Sequence, residues 1–217
     1  MRIGSLFIGG SILAGTNSGT GTLIDSGSVR VADDIGSIVV KGSLIGNTTN
    51  PVIITARGQA VPTATADVAI KSLTVSGRVE HADILAGYFP GGIPLAGNAD
   101  AQIGAVVVGD WIASNLVAGV QDDNDAGRDV FFGDGDDRKI TGGTDQPGLI
   151  SKIAGIVIKG TARGTIGGSD HFGFVAQQIG SFKIGATAFP LAPGPATDLA
   201  GLLVGITGDL RVREVAL

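Results

Sequence analysis

The stretch "IGSIVVKGSLIG", residues 35–46, interleaves Gly and Ser with aliphatic residues and carries a single charge. Its first eight residues return along the chain. "IGSLFIGG" begins at Ile3, "IKSLTVSG" at Ile70, "IGAVVVGD" at Ile103, "IAGIVIKG" at Ile153 and "IGSFKIGA" at Ile179. Successive starts lie 32, 35, 33, 50 and 26 residues apart. The fourth and sixth positions are apolar in every copy, and an i, i+2 spacing puts both side chains on one face of a strand. The opening Ile has the other parity, which places it at a bend just before the strand. A Gly follows near the strand's end at Gly10, Gly42, Gly77, Gly109 and Gly160, read as a sharp corner, often with positive φ. Ile12, Leu44, Val79 or Ile112 then opens the next apolar stretch.

Short strand, corner, short strand and returning loop at a near-constant period describe one turn of a parallel β-solenoid. Equivalent side chains then stack about 4.8 Å apart. The expected fold is all-β: a parallel β-helix (β-solenoid) of about six coils. It forms a single domain over residues 1–217, with one Asp-rich loop inserted at about residues 115–150. An antiparallel sandwich of short strands is the competing architecture, but it has no use for one octet at a fixed step. The fifth octet position runs Phe7, Val39, Thr74, Val107, Val157, Lys183. Stacked coils would align these into an outer strip, explained by β-propensity or by packing against a loop layer or a second molecule. No polar cap is evident at the start of the array. The chain is therefore expected to be a piece of a longer repeat, the alternative being ends that meet other subunits.

Composition points the same way. Gly supplies 37 of the 217 residues, against a usual ~7%. All the acidic residues except Glu80 and Glu214 are Asp, which favours turns where Glu favours helices. A hydrophobic share of 43% excludes a disordered chain. No apolar run approaches the ~18 residues of a membrane span, so none is expected in this segment. A net charge of −5 with no basic stripe argues against nucleic acid. The absence of Cys removes disulfide and thiolate chemistry but does not exclude export.

The step of 50 residues contains "VQDDNDAGRDVFFGDGDDRKITGG", residues 120–143. Asp122, Asp123, Asp125, Asp129, Asp134, Asp136 and Asp137 crowd this span together with Asn124, with Arg128, Arg138 and Lys139 as the nearest cations. So many carboxylates repel one another unless a cation sits among them. Ca2+, which takes about six to eight oxygens from flexible Asp and Asn loops, is the expected cofactor, with these eight residues as its candidate ligands. The alternative is a solvated acidic loop. An EF-hand register starting at Asp122 fits Asn124 and Gly127 but puts Ala126 and Gly133 where ligands belong. "FGDGDDRKI" is similar to one copy of the calcium-binding nonapeptide of repeats-in-toxin proteins, with Phe132 in place of the first Gly.

The octets, the "FFGDGDD" insertion and the "DHFGFVAQQIGSFKIG" that follows resemble repetitive exported bacterial proteins. They are similar in style to filamentous-haemagglutinin and autotransporter passenger β-helices. The resemblance covers most of the chain. It implies a secreted or cell-surface β-solenoid used for adhesion or as a stalk, and its motifs carry no catalytic residue.

Active-site signatures are otherwise weak. His81 and His171 have no partner His or Cys at metal-ligand spacing, and no nucleophile-elbow motif is present. By analogy of fold alone, the enzymatic alternative is a polysaccharide lyase or hydrolase acting on acidic polysaccharide. A lyase would set calcium on a uronate carboxylate and use Arg128, Arg138 or Lys139 to take the neighbouring proton. A hydrolase would need two carboxylates across a groove. With one Trp and one Tyr, aromatic platforms for sugars are scarce. The reading preferred is therefore a non-enzymatic structural and adhesive segment. Its possible contacts are a cell surface or polysaccharide, and copies of itself end to end or side to side.

Overall fold

The structure, a computed structural model, describes residues 1–17, 23, 25–91, 95–122, 131–167 and 169–217. It is all-β, with no helix among the described residues, and its two large sheets are mostly parallel.

The first sheet is built from the octets. Leu6–Ile8, Ile38–Val40, Asp67–Glu80, Ala101–Ile112, Lys152–Ile158 and Phe182–Ile184 lie side by side in chain order, all parallel. Their register follows the sequence alignment. Leu6, Ile38, Leu73, Val106, Ile156 and Phe182 are successive cross-strand partners. The unequal steps between octets are absorbed in the connections and leave this ladder unbroken. The opening Ile residues form a row of their own, from Ile3 through Ile35, Ile70, Ile103 and Ile153 to Ile179. Ile70 and Leu73 are both buried although three residues apart. Neighbouring strands bend together at this point, with Ile70 opposite Ile103 and Ser72 opposite Ala105, and the pairing slips by one residue just before it, between Gln102 and Ile103, and again between Val108 and Asp110.

The glycines of the octet work differently from the expectation. None of Gly10, Gly42, Gly77, Gly109 and Gly160 has a positive φ. At Gly42, Gly77 and Gly109 the adjacent backbone approaches too closely for a side chain, and at Gly160 the Asp110 carboxylate does, whereas Gly10 has nothing within 4 Å. A Cβ on Gly109 would stand 2.3 Å from the carbonyl oxygen of Gly77, and one on Gly42 would stand 2.7 Å from that of Gly10. The freed space is used for a backbone ladder, in which Gly42 N–H donates to Gly10 and Gly77 N–H to Gly42, each at 2.8 Å. Left-handed glycines occur at a different corner, Gly87 and Gly119, where the second sheet ends.

That second sheet contains Ser28–Val31, Val52–Ala56, Ala82–Ala86, Asn115–Ala118, Phe172–Ala176 and Leu210–Glu214, again parallel and in chain order. Val29, Ile54, Ile84, Leu116, Phe174 and Val212 form its central inward row. This row meets the octet rows across the core. Trp111 is fully buried there, its ring centroid 4.8 Å from that of Phe174, which in turn lies 5.0 Å from Phe182.

The second sheet is apolar on both faces where the inserted loop packs. Leu85, Val117 and Val175 point away from the main core and bury against Phe132, Ile140, Tyr88 and Val120. Because Asn115–Ala118 belongs to the sheet, the excursion begins after Ala118. It opens with Val120–Gln121 paired antiparallel to Arg138–Lys139. Its return is fastened at a polar cluster. Asn98 donates to the buried Asp67 at 2.7 Å, Gln146 N–H donates to Asp100 at 2.8 Å, and Asn98 bridges to Thr144.

The two sheets end unlike they begin. Thr187–Phe189 folds back antiparallel on Phe182–Ile184, and Leu202–Leu203 does so on Leu210–Glu214. At the other end Leu6 and Ile8 are half-buried and Phe7 is 65% exposed. The outer strip of fifth octet residues is aligned as cross-strand neighbours and carries no covering layer among the described residues.

Candidate functional site

A groove of about 730 Å³ lies on the outer face of the second sheet. It is the gap that the inserted loop leaves uncovered. Gly133 packs directly onto Gly173, where a Cβ would lie 2.8 Å from the Gly133 Cα. The neighbouring strands, which carry Asp83 and Asn115, stay open as the groove floor. One wall is the loop at Asn47, Thr48 and Pro51. The other is formed by Gln121, Asp122, Phe131 and Phe132. Tyr88, Leu95, Asp170 and Phe172 complete the lining.

Two unusual backbone positions set the floor. His81 and Ala113, both lining the groove, have φ of 45° and 44°. Each sits where the chain leaves the first sheet for the second, the corner that Gly46 occupies one octet earlier. A left-handed residue other than Gly or Asn is strained, and such strain concentrates where surrounding structure fixes the backbone. Here the fixing bonds are visible. His81 N–H donates to Ile112 O at 3.1 Å, and Ala113 N–H to Arg163 O at 2.9 Å.

Asp83 and Asn115 are cross-strand partners 32 residues apart, the spacing of the first two octets. Asn115 Nδ2 donates to Asp83 Oδ1 at 2.9 Å, and its own Oδ1 accepts from Gly173 N–H at 3.0 Å. Desolvation by burial raises the pKa of Asp83, outweighing the Asn115 hydrogen bond and the His81 charge that oppose it. Tyr88 Oη donates to Val120 O at 2.7 Å. Its pKa is also raised, first by burial and then by the negative charges of Asp137, Asp122 and Asp83. The groove therefore gathers several acidic groups in one place. Its described lining contains no Lys or Arg.

The eight metal candidates of the sequence do not come together as one set. Asp122 lines the groove. Asp134, Asp136 and Asp137 lie on the far side of Phe132, over the strands Phe172–Ala176 and Leu210–Glu214. Asp123, Asn124, Asp125 and Asp129 lie outside the described residues, as does Arg128. Asp137 is buried, with Oδ2 accepting from Gly133 N–H at 2.8 Å and standing 3.9 Å from Arg213. Its Oδ1 has no hydrogen-bond partner. Burial pushes its pKa up to about 8, despite the Gly133 bond and the Arg213 charge. Asp134 shifts the other way. Burial opposes its ionisation, but hydrogen bonds from Asp136 and the charges of His171 and Arg213 prevail. Among the described residues no group of three or more His, Cys, Asp or Glu is arranged to hold a metal ion.

Sequence reading overlooked Asp83, Asn115, Tyr88 and Asp170. The signal available was the 32-residue repetition of a polar residue at the start of a second-sheet strand. Among the described residues no helix is long and apolar enough to cross a membrane. No protein family, curated protein or solved structure matches the chain.

Proposed function

We propose that the chain is a non-enzymatic parallel β-solenoid segment of a secreted or cell-surface bacterial protein, similar in style to filamentous-haemagglutinin and autotransporter passenger β-helices. In this reading each of about six coils contributes one strand to each large sheet, and the scaffold serves adhesion by displaying loops and a groove. The observation that carries it is the in-register octet row from Leu6 to Phe182, maintained through connections of very different length. A parallel stack of this kind resists bending and leaves its loops free to vary. The uncovered fifth-position strip is the face on which side-to-side association would occur.

Calcium belongs to the same proposal as an ion that orders the inserted loop, with Asp134, Asp136 and Asp137 among its ligands. Its supports are the density of carboxylates and the buried Oδ1 of Asp137, an oxygen that an ion would satisfy. The alternative of a lyase or hydrolase acting on acidic polysaccharide is less well supported. A groove floored by Asp83, with several carboxyls and no Lys or Arg among its described lining residues, favours a uronate less.

The experiment is to immobilise the protein and present bacterial and host cell surfaces and a panel of polysaccharides, following both retention and chemistry. Retention without new reducing ends or unsaturated products is the expected result. Catalytic release of either product from an acidic polysaccharide would overturn the non-enzymatic reading.

A further inference from the structure

The groove combines three features that together specify a ligand chemistry. First, its amides are committed internally. Asn115 bridges Asp83 and Gly173, Gln121 Oε1 accepts from Thr141 N–H at 3.0 Å, and Asn47 Oδ1 accepts from Thr49 and Asn50 N–H groups. These internal bonds leave less of the amides for a polyhydroxylated ligand. Second, the ionisable groups of the described lining are the carboxyls of Asp83, Asp122 and Asp170, the phenol of Tyr88 and the single imidazole of His81. Third, the walls between them are apolar, with Leu85, Leu95, Phe131 and Phe172 among them. The volume of about 730 Å³ falls within the usual range for small-molecule sites, roughly 300–1,000 Å³.

We infer that the groove binds an organic ammonium ion, a protonated amine carried on an apolar body, with Asp83 as its principal counter-charge. Anions are repelled by the carboxyls, and neutral polyols find the amides partly occupied. An inorganic cation would gain nothing from the aromatic and aliphatic walls. An ammonium group gains a charged hydrogen bond at the floor, while its hydrocarbon part takes up the walls and the ring faces of Phe131 and Phe172. An extended peptide is less well suited, because the strands of Asp83 and Asn115 are paired to each other and expose no free sheet edge.

Three probes of one shape separate the possibilities: phenethylammonium, phenethyl alcohol and phenylacetate, titrated against the folded protein by NMR. Phenethylammonium alone is expected to bind, with the weak affinity of a fragment, and to shift the resonances of Asp83, Tyr88 and Leu95. Asp83→Asn keeps the shape and the Asn115 contact, and should weaken it about 10-fold or more, the cost of losing a hydrogen bond to a charged group. Leu95 is 62% exposed, so Leu95→Lys places a cation at the mouth without disturbing the core, and should also weaken phenethylammonium. Binding of phenylacetate or the alcohol as tightly as the amine would overturn the inference. So would an amine affinity that neither variant changes, or no amine binding at all. With chelator present throughout, none of these outcomes depends on whether the protein is exported or binds calcium.

Discussion

Gly104 lies so close beneath the carbonyl of Lys71 that a Cβ atom there would stand 2.0 Å from the oxygen. The two residues hold the same place in adjacent octets, so the contact states what the second octet position must accommodate. Where Gly fills it above another octet, as at Gly36 over Gly4 and Gly180 over Ala154, the clearance is similarly short. Gly4, with no octet before it in the sheet, has nothing within 4 Å. Gly104→Ala should therefore cost about 3 kcal/mol, since the obstacle is backbone and cannot rotate away. Gly4→Ala should stay within about 0.5 kcal/mol. Urea unfolding of both variants checks the contrast, and equal losses would refute the stacking argument.

Ala113 offers a second test of backbone geometry. Its left-handed φ is tolerable for a small residue and severe for a branched one. Ala113→Val is expected to lose about 2 kcal/mol or more. Ala113→Gly should remain within about 1 kcal/mol, because relief of strain offsets a more flexible unfolded chain. If Val were tolerated as well as Gly, the corner would not have the shape described.

Asp137 should make stability fall with rising pH. Burial pushes its carboxyl up to about 8 in the folded chain, against 3.8 in the unfolded chain. Between these values the folded state holds the proton more often, so raising pH favours unfolding, by at most about 1.4 kcal/mol per pH unit. The favourable contribution is complete below 3.8 and gone above about 8. Asp137→Asn, which can still accept the Gly133 hydrogen bond, should flatten the profile across this window and melt higher than the parent at pH 9.

Calcium would reverse that protonation. If the ion engages Asp137 at neutral pH, it must displace a proton, and binding heats should vary with the ionisation enthalpy of the buffer. Excess calcium should raise the melting temperature relative to chelator by simple linkage. The Asp137→Asn protein should lose the buffer dependence. An unchanged melting temperature would remove calcium from the functional reading.

The aromatic centre gives a test of the two-sheet core. Phe174 lies between Trp111 and Phe182, so Phe174→Ala should cost about 3–5 kcal/mol. Trp111 is the only Trp, fully buried, and its emission should shift to the red in this variant as water enters beside it.

Periodicity alone made three things legible: all-β character, octet boundaries, and the choice of Leu6, Ile38, Leu73, Val106, Ile156 and Phe182 as equivalent inward residues. Strand alternation is a local property of the chain, and repetition fixes which copy lies beside which. The tertiary structure decided the rest. It showed that the octet glycines relieve contacts between neighbouring strands, where a φ argument had been expected. It buried Phe132 and Ile140 on the back of Leu85, Val117 and Val175, and so left Asp83 at the bottom of a groove. Whether a carboxyl is solvated or desolvated depends on side chains tens of residues away, and no local pattern in the chain encodes how an insertion settles over a sheet.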